Sequence, residues 1–145
     1  MHSGRSGSRG GSTPARYHSC VMLGQNKLMS FLATRDGVRA RRFYETTLGL
    51  RVLSDDDFAL ALDAGGTMLR IQKVAAFTPH PFTALGWEVT DIAAAAAELA
   101  RRGVELERYP GLDQDAAGVW RAPSGAGIVW FKDPDGNTLS LTELG

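Results

Sequence analysis

The same order of helix and strand signals occurs twice in this chain, and this repeat constrains the fold more than any other feature. In the first copy Asp36 can cap a helix over residues 38–48, and Gly49 follows as a stop signal. In the second copy Asp91 can cap a helix over residues 92–102, which Gly103 ends. The two aspartates are 55 residues apart. The chain is therefore predicted to contain two units of one architecture.

Each helix is surrounded by short apolar runs that indicate strands. The predicted strands of the first unit cover residues 28–34, 50–53, 58–62 and 67–72. Those of the second unit lie near residues 85–89, 105–108, 118–121, 128–131 and 138–144. This order predicts an α+β fold made of two βαβββ units, whose curved sheets form an open barrel around a central cleft.

The last two strands form the clearest hairpin. An apolar and aromatic run over residues 128–131 is followed by Asp133-Pro-Asp-Gly-Asn137, which is typical of a tight turn. After this turn Thr138, Ser140 and Thr142 alternate with leucines, as expected for a strand with one buried face.

The start of the chain differs in composition from the rest. Residues 1–26 are rich in Gly, Ser and Arg, and we predict a disordered tail there, with Met22 or Met29 as alternative starts of the native protein. Residues 27–145 are predicted to form one domain, with a first half over residues 27–76, a proline-rich connector over 77–83 and a second half over 84–145.

Charge and hydropathy restrict the partners. No apolar run is long enough to span a membrane, and the lone Cys20 cannot form an internal disulfide. From Asp36 onward 16 acidic residues outnumber 11 basic ones, a surface that suits a cationic small molecule better than a nucleic acid. We expect a cytoplasmic protein that binds neither nucleic acid nor membrane.

The order of these motifs resembles the vicinal oxygen chelate superfamily, which includes glyoxalases, bleomycin-resistance proteins and extradiol dioxygenases. The similarity lies in the first helix with Phe43-Tyr44 and Leu48-Gly-Leu50, in Leu85-Gly-Trp-Glu-Val-Thr-Asp-Ile92, and in the final hairpin. It covers most of residues 27–144. The resemblance implies the paired βαβββ fold and, in many members, a divalent metal held by side chains from four strands.

The positions that the resemblance assigns to the metal ligands do not carry metal-binding side chains. They fall at Met29, Arg70, Ala84 and Ser140, and a register shift of one residue at the first, third and last brings in only Leu28, Ser30, Thr83, Leu85, Leu139 or Leu141. Thioether, guanidinium, methyl and hydroxyl groups do not suit a divalent ion in such a site. We therefore expect no metal and no other cofactor.

Strand alternation then predicts what lines the cleft. If the former ligand positions face it, so do their neighbours two residues away. The predicted ligand-binding residues are Met29, Phe31, Arg70, Gln72, Glu88, Ser140 and Thr142. Alternatively, Arg70 and Glu88 form a structural ion pair. Trp87, Trp120 and Trp130 are more typical of a core than of a binding site.

Two functional hypotheses remain open. In the first, the chain binds a small organic molecule without a metal, as the bleomycin-resistance proteins bind a cationic antibiotic between two subunits. In the second, it is an enzyme, either a metal-dependent lyase, isomerase or dioxygenase with unrecognised ligands, or a metal-free catalyst in which Glu88 is the base and Arg70 holds an anionic group. The sequence assigns no catalytic residue beyond that alternative. The resemblance and the open sheet edges predict a symmetric homodimer.

Overall fold

A computed structural model describes residues 22–145 of the chain. After a 3-10 turn at Leu23–Gln25, the first unit contains β1 (Met29–Thr34), α1 (Gly37–Arg41), β2 (Arg51–Asp55), β3 (Ala59–Ala64) and β4 (Thr67–Lys73). The second unit contains β5 (Thr83–Glu88), α2 (Ile92–Arg101), β6 (Trp120–Arg121), β7 (Gly127–Lys132) and β8 (Thr138–Glu143). No helix among the described residues is long and apolar enough to cross a membrane.

The two units have the same sheet topology, which confirms the predicted repeat. Sheet A has the strand order β1-β4-β3-β2, and sheet B has the order β5-β8-β7-β6. The first strand of each unit pairs in parallel with the last, and the remaining pairs are antiparallel. The fold is α+β with two open four-stranded sheets, as expected, and they do not close into a barrel.

The helix signals read from the sequence are confirmed at both ends. The Asp36 carboxylate accepts a hydrogen bond from the Arg39 N–H, and the Asp91 carboxylate accepts one from the Ala94 N–H, both at 3.1 Å. Gly49 and Gly103 have φ angles of 80° and 84°. A side chain would be strained in that left-handed conformation, so glycine is the residue that can end each helix there.

The first helix differs from the second in one respect. It becomes a π-helix over Arg42–Thr47, where the Leu48 N–H donates to the Phe43 carbonyl five residues earlier at 2.9 Å. The 3.6-residue spacing of apolar residues predicts helix but cannot distinguish this wider turn from an α-helix.

One predicted strand is wrong. Residues 105–108 form an isolated bridge between Leu106 and Phe131 instead of a strand, and the strand predicted over residues 118–121 shortens to β6. The Gln114 side chain takes over part of the missing ladder. Its amide nitrogen donates to the carbonyls of Glu107 and Gly118, and its oxygen accepts from the Tyr109 N–H at 2.8 Å. Side-chain bonding of this kind leaves no apolar signal in the sequence.

Both sheets contribute one face to a common core. The strands supply fully buried residues from both halves, and α1 and α2 cover them with Tyr44, Ile92, Ala96 and Leu99. The buried strand residues of this core include Leu60, Leu62, Leu69, Ile71, Val129, Phe131, Leu139 and Leu141. The other face of each sheet therefore points away from the core, and those two faces carry the residues predicted to bind a ligand.

Candidate functional site

The open face of sheet A, here called face A, contains four of the predicted site residues. Strand pairing aligns Met29 with Met68, Phe31 with Arg70, and Ala33 with Gln72. Residues paired in this way project from the same side of a sheet, so the register brings Met29, Phe31, Arg70 and Gln72 together. Ala59 and Ala61 of β3 complete the same rows. Both alanines are buried, with 2% of each residue exposed.

The open face of sheet B, here called face B, contains the other three. Gly86 is paired with Ser140, and Glu88 with Thr142. A Cβ atom on Gly86 would lie 2.6 Å from the Ser140 hydroxyl oxygen, which is far inside van der Waals contact. Glycine therefore allows β5 and the Ser140 side chain to approach each other closely. No large side chain therefore projects from the part of face B where Gly86 and Ser140 meet.

The four positions of the family's metal ligands lie on these faces, and their side chains do not fit a metal. Met29 and Arg70 belong to face A, whereas Ala84 and Ser140 belong to the strands of sheet B. None of these four side chains is a histidine, cysteine, aspartate or glutamate. Elsewhere in the part of the chain described here, no group of three or more such residues is arranged to hold a metal ion. This set of side chains supports no metal-dependent step.

Arg70 is partly buried and forms no ion pair with any residue in the described range 22–145. Its charge acts at longer range on Asp56. The backbone N–H groups of Phe58 and Ala59 hold the pKa of the Asp56 carboxyl below its ordinary value, and the Arg70 charge adds to this. The alternative of an Arg70–Glu88 ion pair is wrong for this structure, because the two residues lie in different sheets without such a contact.

Phe31 and Gln72 also border a cavity of about 210 Å³ where sheet A meets sheet B. Ala84 and Asn137 line it from the second half, and residues 77–80 of the connector cover one side. His80 lies on this connector and stacks on Phe82, with ring centroids 5.0 Å apart. The cavity brings two predicted site residues of face A next to the beginning of β5.

Glu88 lies at the end of β5, is exposed, and has no ion-pair partner among residues 22–145. It also borders a groove of about 550 Å³ between the two halves. The groove has an apolar floor that includes Leu50, Trp87 and Leu99, and Arg102 lies at its rim. Arg102 donates to the Thr47 carbonyl at 3.0 Å and so connects α2 to the first half.

Sequence reasoning identified the Asp133–Asn137 turn but missed its main role. The Asp133 carboxylate is buried and accepts four hydrogen bonds, from the Tyr44 hydroxyl at 2.7 Å, the Asn137 amide at 2.8 Å, and the backbone N–H groups of Asp135 and Asn137 at 2.9 Å. Burial, and then the Asp133 charge, raise the pKa of the Tyr44 phenol well above its ordinary value. Tyr44 therefore stays protonated and remains a donor.

Asp135 forms a second connection from the same turn. It accepts from the Thr34 hydroxyl at 2.5 Å and from the Arg35 N–H at 2.9 Å. Burial alone would raise the pKa of its carboxyl, but the hydrogen bonds from Arg35 and Thr34 and the Arg35 charge lower it below the ordinary value. Asn137 donates to the Ala33 carbonyl at 3.1 Å. The turn thus fixes the end of β1, and with it face A, against sheet B.

The three tryptophans were predicted to be core residues, but the structure places them on two different faces of sheet B. Trp87 packs against the core cluster from the inner side of β5. Trp130 is paired with Ser140, and Trp120 with Ile128, which places both on face B. Tyr109 contacts Trp130 edge-on, with ring centroids 5.4 Å apart. The sequence could have indicated the position of Trp130. Its neighbours Val129 and Phe131 are core residues, so strand alternation places Trp130 on the opposite face.

Comparisons with known proteins agree with this architecture. The model of the Glyoxalase/Bleomycin resistance protein/Dioxygenase superfamily matches residues 24–141. A glyoxalase family protein from Enterococcus faecalis is 24% identical, with a TM-score of 0.66 over 84% of this chain and 100% of that chain. A bleomycin-binding protein solved in complex with bleomycin is 21% identical, with a TM-score of 0.65 over 83% and 99% of the two chains.

Lactoylglutathione lyase from Agrobacterium tumefaciens is 20% identical, with a TM-score of 0.60 over 81% of this chain and 93% of that chain. A search of curated proteins found no match. At these identities the solved structures demonstrate the fold, whereas the family model covers most of the sequence. The chain belongs to the Glyoxalase/Bleomycin resistance protein/Dioxygenase superfamily.

Proposed function

We propose that this protein binds a small organic molecule, without a metal, in a cleft lined by face A and face B. The observation that carries the proposal is Arg70, a partly buried guanidinium on face A that has no ion-pair partner among residues 22–145. Guanidinium groups bind carboxylate and phosphate groups through two parallel hydrogen bonds. An anionic group of the ligand is therefore expected to bind Arg70.

The neighbours of Arg70 suit the rest of such a ligand. Gln72 offers an amide donor and acceptor one row away, while Met29 and Phe31 offer apolar contact. Glu88, Ser140 and Thr142 supply polar groups from face B. A few polar groups within a mostly apolar lining are typical of ligand sites. A protein of similar fold has been solved with bleomycin bound, which supports a binding function for this architecture.

We infer that a second copy of the chain completes each cleft. The predicted ligand-binding residues of one copy are divided between two sheets, and those that border a cavity do so at different places: Phe31 and Gln72 border the cavity of about 210 Å³, and Glu88 borders the groove of about 550 Å³. Phe31 is 53% exposed and Met29 is 46% exposed on face A. Apolar side chains of this size, next to one another on an open sheet, favour association with another surface.

The enzyme alternative is less well supported. Metal-dependent chemistry lacks a fitting donor set within the described residues. A metal-free reaction with Glu88 as base and Arg70 as the anion-binding group requires both side chains to act at one reacting centre, although they lie on different sheets and form no ion pair with each other. Their opposite charges on the two faces instead suit the two ends of a bound molecule.

The metal-free site is tested by elemental analysis. We expect protein purified without a chelator to contain no stoichiometric divalent ion, and EDTA to leave its melting temperature unchanged, because Met29, Arg70, Ala84 and Ser140 offer no suitable ligands. One tightly bound metal per chain, lost together with stability on chelation, would contradict the proposal.

The role of Arg70 is tested by substitution after a thermal-shift screen of organic anions has identified a ligand. Arg70→Leu should abolish binding of that ligand and change the free energy of unfolding by less than about 1 kcal/mol, because no ion pair is lost. Arg39→Leu is the matched control, since this exposed arginine lies on α1. Retained affinity in Arg70→Leu, or equal loss in Arg39→Leu, would refute the assignment.

A further inference from the structure

Three aromatic side chains on one side of face B contact one another and are each only partly buried. The rings of Tyr109 and Trp130 meet edge-on at 5.4 Å with an interplanar angle of 77°. The rings of Trp120 and Trp130 are tilted by 35° with centroids 6.1 Å apart. Neither tryptophan is among the fully buried residues of the core. The cluster thus presents aromatic surface on the open side of sheet B.

The surface next to this cluster is low. Trp130 is paired with Ser140, and Ser140 with Gly86, so small residues follow the indole along the same row. A planar group lying against the cluster therefore meets no large side chain along this row. The Ser140 hydroxyl lies at the base of this row, since the residue is only 8% exposed.

Glu88 lies on the far side of this low surface. It is on β5, whereas Trp130 is on β7, and β8 lies between them. Glu88 is paired with Thr142, whereas Trp130 is paired with Ser140, two residues earlier on β8. Two inter-strand spacings across the sheet and two residues along it therefore separate the backbones of Glu88 and Trp130, roughly 12 Å in all. Lys132 lies on β7, two residues after Trp130 and on the same face of the sheet. Its Nζ atom is 3.9 Å from Oε1 of Glu107, which is its ion-pair partner. Glu88 has no such partner within residues 22–145.

We propose that face B binds a molecule that carries an aromatic ring and a cationic nitrogen roughly 10–12 Å apart, with the ring against Trp130 and the nitrogen at Glu88. The electron-rich faces of indole rings attract aromatic edges and cations, and an unpaired carboxylate complements an ammonium group. The proposal rests on the binding function proposed above and specifies the class of ligand at the same cleft.

The test uses three probes of equal length, namely ω-phenylhexylamine, ω-phenylhexanol and ω-phenylhexanoate, whose extended chains match this spacing. Binding is measured by calorimetry and by quenching of tryptophan fluorescence. We expect the amine to bind more tightly than the alcohol. Glu88→Gln should lower the affinity for the amine about fivefold and leave the affinity for the alcohol unchanged. Trp130→Leu should lower the affinity for the amine and for the alcohol about tenfold, because both probes carry the same phenyl ring.

Glu105→Gln is the matched control, because Glu105 is also an exposed carboxylate but lies in the segment after α2, outside face B. It should leave the affinities of all probes unchanged. Because Trp130→Leu could perturb the fold, Trp120→Leu provides a second substitution in the cluster, and circular dichroism verifies both.

Three results would overturn the inference. The first is equal affinity for amine and alcohol, and the second is amine binding that survives Glu88→Gln. The third is dissociation of a dimer by Trp130→Leu with ring binding unchanged, which would make the cluster a subunit contact. If the hexanoate binds in an Arg70-dependent manner while the amine does not bind, this inference fails and the proposed function stands.

Discussion

Replacing Asp133 by alanine is expected to destabilise the protein by about 3–5 kcal/mol, because the substitution leaves several buried donors without an acceptor. The Tyr44 hydroxyl and the Asn137 amide both lose the same carboxylate oxygen, and the N–H groups of Asp135 and Asn137 lose the other. Asp133 is only 6% exposed, so water cannot easily replace the lost bonds. Chemical denaturation monitored by circular dichroism measures the change.

Two further substitutions identify the source of that loss. Tyr44→Phe removes one donor and keeps the ring, so it should cost about 1–2 kcal/mol. Asp57→Ala removes an exposed aspartate from the turn before β3 and should change stability by no more than about 0.5 kcal/mol. If Asp133→Ala were as mild as Asp57→Ala, the turn would not hold the two halves together.

A consequence for the site follows from the same contacts. The turn between β7 and β8 holds the end of β1 through Asp135 and Asn137, and β1 carries Met29 and Phe31 of face A. Loss of these contacts should therefore disturb the position of β1 and the binding residues of face A more than those of face B. Binding of a ligand that depends on Arg70 should weaken in Asp135→Asn, even under conditions where that variant remains folded.

The repeat could be predicted from the sequence because its signals are local. A capping aspartate, a helix of apolar periodicity and a glycine stop lie within about four turns of each other, and no long-range information is needed to recognise them. Strand alternation is equally local. Together with the ligand positions that the resemblance assigned, it placed Phe31 and Arg70 towards the cleft, and the register pairs these two residues directly.

The connections between the halves could not be predicted in the same way. Asp133 and Tyr44 are 89 residues apart, and Asp135 and Thr34 are 101 residues apart. The turn chemistry of the Asp-Pro-Asp-Gly-Asn segment explains its local shape, and nothing in that segment indicates which distant groups its carboxylates bind. The Gln114 side chain, which replaces a strand ladder, escaped prediction for the same reason.

The candidate site shows a similar division. Alternation gives the side of the sheet on which a residue lies, but the relation between two sheets depends on tertiary packing. Arg70 and Glu88 were considered as a possible ion pair across the barrel on parity alone, whereas the structure contains no ion pair between them. Trp130 was assigned to the core because a tryptophan in an alternating strand is more often a core residue, although its flanking residues Val129 and Phe131 already occupy the core side of β7.

Phe31→Lys is expected to convert the proposed homodimer into a monomer, with a rise in the dimer dissociation constant of at least about 100-fold. Phe31 is 53% exposed on β1, an edge strand of sheet A, and strand pairing places it beside Arg70. A second copy that covers face A would bury this ring. Lysine at that position would instead bring a second positive charge next to the guanidinium and require its desolvation in the interface.

Val38→Lys is the matched control for this prediction. Val38 is 73% exposed on α1, which packs on the core side of sheet A, so the same change in side chain occurs away from face A. Sedimentation equilibrium of the unmodified protein and both variants at micromolar concentration provides the comparison, with circular dichroism to verify folding. A monomeric unmodified protein, or equal dissociation of both variants, would exclude face A as the dimer contact. In that case a single copy would have to provide the whole cleft, and binding that depends on both Arg70 and Glu88 would require the two open sheets of one chain to reach the same ligand.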